Sequence, residues 1–307
     1  MKNFIILSLI PVFVMFLSTL LSAQPFNQAQ DLGYYSNSFW DVAVDSPYII
    51  GFGRAQELIE GTNIKREGTI VAKHTLDGTL LNHVLFTDTV TIDSINSNFY
   101  ISWWYGQILP TSDGGYLFTV LASRSNKVAV KLDSELQEEF RYEYEDSTNQ
   151  SNFYCQVPVE VEDGYLLYGS ATRLDGFRDA YLRKISITGE TMWLMYYGEP
   201  NQSETLIDAA MQGDSILVMG IGRRSQNPED GLENLFLRVR VSNGEVIDSG
   251  ESGFNPEMGW IRELTILDNG DIITFGAQYQ GEDSNGNRIV QPTIARLDSN
   301  YQTIWVR

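Results

Sequence analysis

Apolar residues along this chain come in short runs separated by turn-forming residues, and the runs recur. "YIIGFG" from Tyr48, "GYLFTV" from Gly115, "GYLLYG" from Gly164, "SILVMG" from Ser215 and "DIITFG" from Asp271 show no polar alternation. Continuous runs of this kind, rich in aromatic and β-branched residues and bounded by Gly, Asp and Asn, predict strands covered on both faces. Asp113-Gly114-Gly115, Asp163-Gly164 and Asp268-Asn269-Gly270 supply the preceding turns. Further upstream a bulky apolar pair opens another strand: Phe39-Trp40, Trp103-Trp104, Phe153-Tyr154, Leu206-Ile207 and Trp260-Ile261. Downstream a cation closes a third strand and a turn leads to a fourth. The copies are "KHTLDGTLLNHV" from Lys73, "KLDSELQEEF" from Lys131, "KISITGETMW" from Lys184, "RVSNGEVIDS" from Arg240 and "RLDSNYQTIW" from Arg296.

These cations are spaced by 58, 53, 56 and 56 residues. Four short strands at such a period make a propeller blade. The expected fold is therefore an all-β propeller of about five four-stranded blades, in units of about 38–97, 98–151, 152–203, 204–257 and 258–307. In the third unit, Lys184 is expected to end its strand with the ammonium in solvent. Gly189 supplies the positive φ of the turn, and Trp193 fills the layer between blades. The tryptophan place is taken by Phe140 in the second unit and Ser249 in the fourth, which points to scaffold rather than chemistry.

The Asp-Gly turn, the apolar strand ending in glycine, and "K-[IL]-[DS]" followed by a turn and Trp resemble the repeats of secreted bacterial β-propellers. "TG-x-x-x-W", Thr188 to Trp193, is similar to the blade motif of quinoprotein-like, PQQ-type propellers. The resemblance covers residues 38–307 and implies a type IX-secreted protein of the sort that often carries a C-terminal sorting domain. It carries over no cofactor residue, and no cofactor is expected.

Residues 1–23 stand apart from the repeats. Lys2, the apolar stretch Phe4 to Leu21 and the small residues Ser22-Ala23 read as a cleaved signal peptide, leaving 24–307 as propeller. No second apolar run is long enough to span a bilayer, so a secreted or cell-surface location without membrane insertion is expected. "PFNQAQDLGYYSNSFWD" resembles a fourth strand running into the next unit, since Phe26 precedes Asp41 as Trp193 precedes Asp208. Residues 26–35 are thus expected to join the last blade. Unit five already holds most of its own fourth strand at "TIWVR", so the expectation is a truncated larger propeller. The alternative is a five-unit ring with a redundant N-terminal strand.

The formal net charge is −19, from 21 Lys+Arg against 40 Asp+Glu. Such a surface repels phosphate backbones and argues against nucleic-acid binding. The lone cysteine, Cys155, excludes an internal disulfide framework, and with His74 and His83 it leaves too few soft ligands for zinc.

Three sets of residues could carry chemistry. Trp40, Trp103, Trp104, Tyr154 and Trp260 could stack sugar rings along one face, although their repeat positions also suit packing between blades. The polar residues that follow them, Asp41, Gln107, Gln156, Asp208 and Glu263, could point into a central channel. Of these Asp41, Asp208 and Glu263 could serve as acid and as base or nucleophile on a glycosidic bond. Asp283, Asn285 and Asn287 alternate in "GEDSNGNR" at a spacing that can wrap calcium. The leading expectation is a noncatalytic secreted or cell-surface propeller that binds a glycan, peptide or matrix protein. Its alternatives are a propeller glycoside hydrolase using first-strand carboxylates, and a purely structural spacer.

Overall fold

The computed structural model describes residues 32–58, 60–61, 65–86, 107–121, 127–144, 151–225, 232–252, 258–282 and 288–307, some strand ends as backbone alone. Among the described residues, twenty strands form five four-stranded antiparallel sheets, each a simple meander in chain order. Blade 1 comprises β1 (Ser36–Asp45), β2 (Tyr48–Leu58), β3 (Lys65–Thr75) and β4 (Leu80–Phe86). Blade 2 comprises β5 (Ile108–Pro110), β6 (Tyr116–Leu121), β7 (Lys127–Leu132) and β8 (Glu138–Tyr144). Blade 3 runs through β9 (Ser151–Val161), β10 (Gly164–Thr172), β11 (Arg178–Ser186) and β12 (Thr191–Tyr197). Blade 4 follows with β13 (Gln202–Gln212), β14 (Ile216–Ser225), β15 (Leu232–Arg240) and β16 (Val246–Glu251). Blade 5 holds β17 (Met258–Ile266), β18 (Ile272–Glu282), β19 (Arg288–Leu297) and β20 (Thr303–Val306).

The continuous apolar runs are explained by the seams. Side chains alternate across a strand, so a second strand placed between two neighbouring blades buries both faces. In β10, Tyr165 and Leu167 pack with Leu117 and Ala129 of blade 2, while Leu166 and Tyr168 pack with Leu206, Leu217 and Met219 of blade 4. Ile50, Phe52 and Val71 meet Tyr116 and Phe118 across the seam of blades 1 and 2. Val218 and Phe236 meet Leu264, Ile272 and Leu297 across that of blades 4 and 5. Fully burying one such side chain contributes about 2 kcal/mol, so each seam is a small hydrophobic core.

Two expectations hold in detail and three need correction. Gly189 has a φ of 88°, and Trp193 packs on the core shared by blades 3 and 4. The Lys184 ammonium is not in solvent: its side chain is 3% exposed and its Nζ lies 2.6 Å from Asp163 Oδ1. Strand three is covered by strand four and by the next blade, so its cation must be paired with the hairpin acid in front of it. In blade 4 the equivalent cation is Arg238 rather than Arg240, and the tryptophan place is Asp248 rather than Ser249. The turn there closes Arg240 N–H on the Glu245 carbonyl, one residue longer than Ser186 N–H on Glu190. Finally, the described part of the N-terminal stretch does not join the last blade. Leu32 and Tyr34 pack on Ala55, Ile70 and Leu80 of blade 1, and Tyr35 N–H donates to the Gln56 carbonyl. Residues 1–31, with the signal segment, lie outside the described residues.

Candidate active site

The first strand of a blade carries the polar residues singled out above, and a β-bulge sets where they point. β1 bulges between Phe39 and Asp41, β13 between Leu206 and Asp208, and β17 between Ile261 and Glu263. Trp40, Ile207 and Arg262 are the extra residues, and a bulge at one place in three blades re-aims the side chain that follows it. Beyond it the register is shared: Asp41 opposes Phe52, Asp208 opposes Gly220 and Glu263 opposes Phe275. In blade 3, Val157 opposes Tyr168 and holds this place, so Gln156 falls within the bulge. Gln107 is exposed, just ahead of β5.

Two of these carboxylates tie one blade to the next. Asp41 Oδ2 accepts the Ile108 N–H at 3.0 Å, and Asp208 Oδ2 accepts the Leu264 N–H at 2.7 Å. Ile108 and Leu264 occupy the same place on the receiving strand. Between blades 2 and 3 that place is Pro158, which has no N–H to give, and the preceding blade presents Gln107. The two middle seams use tyrosines instead. Tyr144 O–H donates to the Gly189 carbonyl at 3.3 Å and Tyr197 O–H to the Gly244 carbonyl at 2.8 Å. The outer seams add a cation: Lys73 Nζ donates to the Ser134 carbonyl and Arg238 Nη1 to that of Ser299, both at 2.8 Å.

Asp208 carries more than a strap. Its Oδ1 accepts the Tyr168 hydroxyl at 2.8 Å, so it is held from blade 3 as well as blade 5. Burial raises its carboxyl above the ordinary aspartate value; the Leu264 N–H, the Tyr168 O–H and the Ala209 N–H pull it down in part, and the charge of Glu263 pushes it up further. Glu263 itself is exposed, at the matching place of the next blade. Nearer the start of β13, Glu204 is buried and its carboxyl is likewise raised by burial. Arg223 lies 3.5 to 3.8 Å from Glu199, Glu204, Glu233 and Glu251.

Other candidates are placed less fully. Trp40 is half-buried in the β1 bulge. Trp103 and Trp104 lie outside the described residues, as do the side chains of Tyr154 and Trp260. Asp283, Asn285 and Asn287, the calcium candidates, also lie outside them; among the described residues no three His, Cys, Asp or Glu side chains are grouped to hold a metal. Sequence reasoning missed Tyr168 and the Leu264 N–H. "GYLLYG" reads as core throughout, and nothing in it marks one hydroxyl as a partner for a carboxylate.

No protein-family model and no curated protein sequence matches the chain. Solved structures do share its fold. An α-L-arabinanase of Penicillium chrysogenum complexed with arabinobiose superposes with a TM-score of 0.52 at 9% identity, over 88% of this chain and 93% of that one. An α-L-arabinofuranosidase of Fusarium graminearum, complexed with an iminosugar inhibitor, superposes with a TM-score of 0.52 at 13% identity, over 88% and 83%. The chain is an all-β propeller of about five four-stranded blades. Neither neighbour is a quinoprotein, so the PQQ-type resemblance reduces to an all-β repeat fold. The expectation of a noncatalytic binding or scaffold propeller is overturned, because in both neighbours this fold belongs to a glycoside-cleaving enzyme.

Proposed function

We propose that this protein is a glycoside hydrolase in which Asp208 is the general acid and Glu263 the base or nucleophile. One observation carries the reading. Asp208 and Glu263 hold the same register place on the first strands of consecutive blades, and their environments differ sharply. Asp208 is half-buried and its carboxyl is raised by burial, whereas Glu263 is open to solvent. Glycosidic cleavage needs such a division: one carboxyl gives a proton to the departing oxygen, while the other activates water or attacks the anomeric carbon. Asp41 holds the same place in blade 1, with Oδ2 engaged by Ile108, and is the third carboxylate to test.

Arabinan and arabino-oligosaccharides are the first substrates to try, since the structural neighbours are an arabinanase and an arabinofuranosidase. The purified chain should release sugar from at least one member of a polysaccharide panel. Asp208→Asn and Glu263→Gln should each slow release about 100-fold or more, the usual effect of losing an acid or base. Full activity in both variants, or in an Asp41→Ala/Asp208→Ala double variant, would overturn the assignment. The same proposal places this hydrolysis outside the cell, on the strength of the signal-like segment 1–23. N-terminal sequencing of protein recovered from the medium should then begin at Gln24, and a chain retained in the cell from Met1 would count against export.

A further inference from the structure

The Tyr168 hydroxyl has two acceptors within reach. Asp208 Oδ1 is 2.8 Å away and the Ala209 carbonyl oxygen 3.4 Å away. One of these can take up a proton and the other cannot. The second oxygen of Asp208, Oδ2, faces the Leu264 N–H at 2.7 Å, and an amide N–H can only donate. A proton on Oδ1 therefore finds an acceptor in the tyrosine oxygen, whereas the partner at Oδ2 is a donor and can accept none. The Tyr168 ring is buried among Leu166, Leu182, Leu206 and Met219, so the ring stays and only its hydroxyl hydrogen turns.

Besides the Leu264 N–H, the groups acting on this carboxyl are few: β10 brings Tyr168, the Ala209 N–H of its own strand also lowers it, and β17 brings the charge of Glu263, while β14 opposes it with Gly220, which has no side chain. We infer that Tyr168 is a positioning residue with a two-state hydroxyl. It donates to Oδ1 while Asp208 is ionised, then turns to the Ala209 carbonyl and accepts from Oδ1–H once Asp208 is protonated. No bond other than O–H is made or broken: the proton comes from solvent and returns to it, or passes to the departing sugar oxygen when the hydrolase reading applies. The carboxyl keeps one position in both states, which spares the acid any rearrangement between turnovers. The donor distance is shorter in the ionised arrangement, so Tyr168 on balance favours the carboxylate.

This deepens the acid role proposed for Asp208 and rests on that reading only for its catalytic consequence. The test is a 13C-detected titration of the Asp208 carboxyl in the full chain and in Tyr168→Phe. The midpoint should rise by about one pH unit in the variant, a tenfold change in proton affinity. In the unaltered protein, the Tyr168 Cζ signal should change with the same midpoint as Asp208. A tyrosine that only packs would lower Tm in Tyr168→Phe and leave the Asp208 midpoint where it was, which overturns the inference. So would a Tyr168 Cζ signal that stays flat through the Asp208 transition, and this second reading decides the matter should Tyr168→Phe fail to fold. If sugar release is detected, the alkaline limb of kcat/KM should move up with the carboxyl midpoint. If none is detected the hydrolase reading fails, while the titration still decides the hydroxyl's part.

Discussion

The Tyr168 hydroxyl donates to Asp208 Oδ1 across the seam between blades 3 and 4, while Asp208 Oδ2 takes the Leu264 N–H across the next seam. One carboxylate is thus held by three consecutive blades. Asp41 makes the corresponding contact to Ile108. The arrangement gives Asp208 two consequences that can be separated, one for stability and one for proton affinity.

Asp208→Ala should remove the acceptor of two buried donors at once and lower stability by about 2–3 kcal/mol in urea denaturation at pH 7. Asp208→Asn keeps a carbonyl oxygen for one donor, and its amide can donate to the tyrosine oxygen, so about 1 kcal/mol or less is lost. The pH dependence carries the sign. A folded carboxyl raised above its unfolded value binds its proton more tightly when folded. Its stabilising contribution is then present below the ordinary aspartate range, near pH 4, and fades as pH rises through the raised value. Asp208→Asn should remove that decline. An identical pH slope in both proteins would show that Asp208 is not raised.

Asp113 should behave in the opposite sense. Burial acts to raise its carboxyl, but the Thr111 hydroxyl, Lys131 and the Gly115 N–H outweigh it and bring it down to about 2. Its contribution is present above the ordinary aspartate value and is lost as pH falls toward 2. The shift would correspond to roughly 2.5 kcal/mol, but more than half of the Asp113 side chain is exposed, and solvent screening reduces this to about 1 kcal/mol. Asp113→Asn should therefore be about 1 kcal/mol less stable than the parent at pH 6, and the gap should close near pH 2. A gap of constant size would remove Asp113 as a partner of Lys131.

Much of this architecture is legible in the sequence because the seams impose it. A second strand sandwiched between blades must be apolar on both faces, and "GYLLYG" and "SILVMG" say so directly. The turn glycines are equally plain, since a left-handed backbone leaves few other choices. Contacts that cross a seam are less visible. Lys184 reads as a surface cation by composition, and only the packing of blade on blade buries it beside Asp163. Asp41 and Asp208 recur at one place, which marks them as special without revealing that each already holds the next blade. Tyr168 sits in an apolar run and carries its polar function on a single atom.

The register of blade 4 offers a direct comparison. Arg238 is nearly enclosed: Nε donates to Gln212 Oε1 at 2.9 Å, Nη1 to the Ser299 carbonyl, and the guanidinium lies 4.7 Å from the Tyr301 ring centre. Arg240, which the sequence pattern favours, is half exposed and loosely paired with Glu245 at 3.6 Å. Arg238→Met should cost about 2–3 kcal/mol by leaving buried acceptors unmet, while Arg240→Met stays within about 0.5 kcal/mol. Equal losses in thermal unfolding would mean that the two arginines share the load and that the longer turn has not displaced the repeat.

Two turn glycines with almost the same backbone should respond differently to a methyl group. Gly114 and Gly189 have φ of 84° and 88°, so alanine strains the backbone at both by about 1 kcal/mol. At Gly114 an added Cβ meets nothing within 4 Å. At Gly189 it would stand 2.7 Å from a ring carbon of Phe140, because this turn of blade 3 rests on the outer strand of blade 2. The same turn offers its Gly189 carbonyl to Tyr144, so any shift that relieves the clash also lengthens that bond. Gly114→Ala should lose about 1 kcal/mol and Gly189→Ala about 3 kcal/mol, the difference reporting the contact between blades. Both substitutions are readable by thermal unfolding. If Gly189→Ala lost no more than Gly114→Ala, the seam between blades 2 and 3 would have room to spare at its turn, and the tyrosine latch there would not be a tight one.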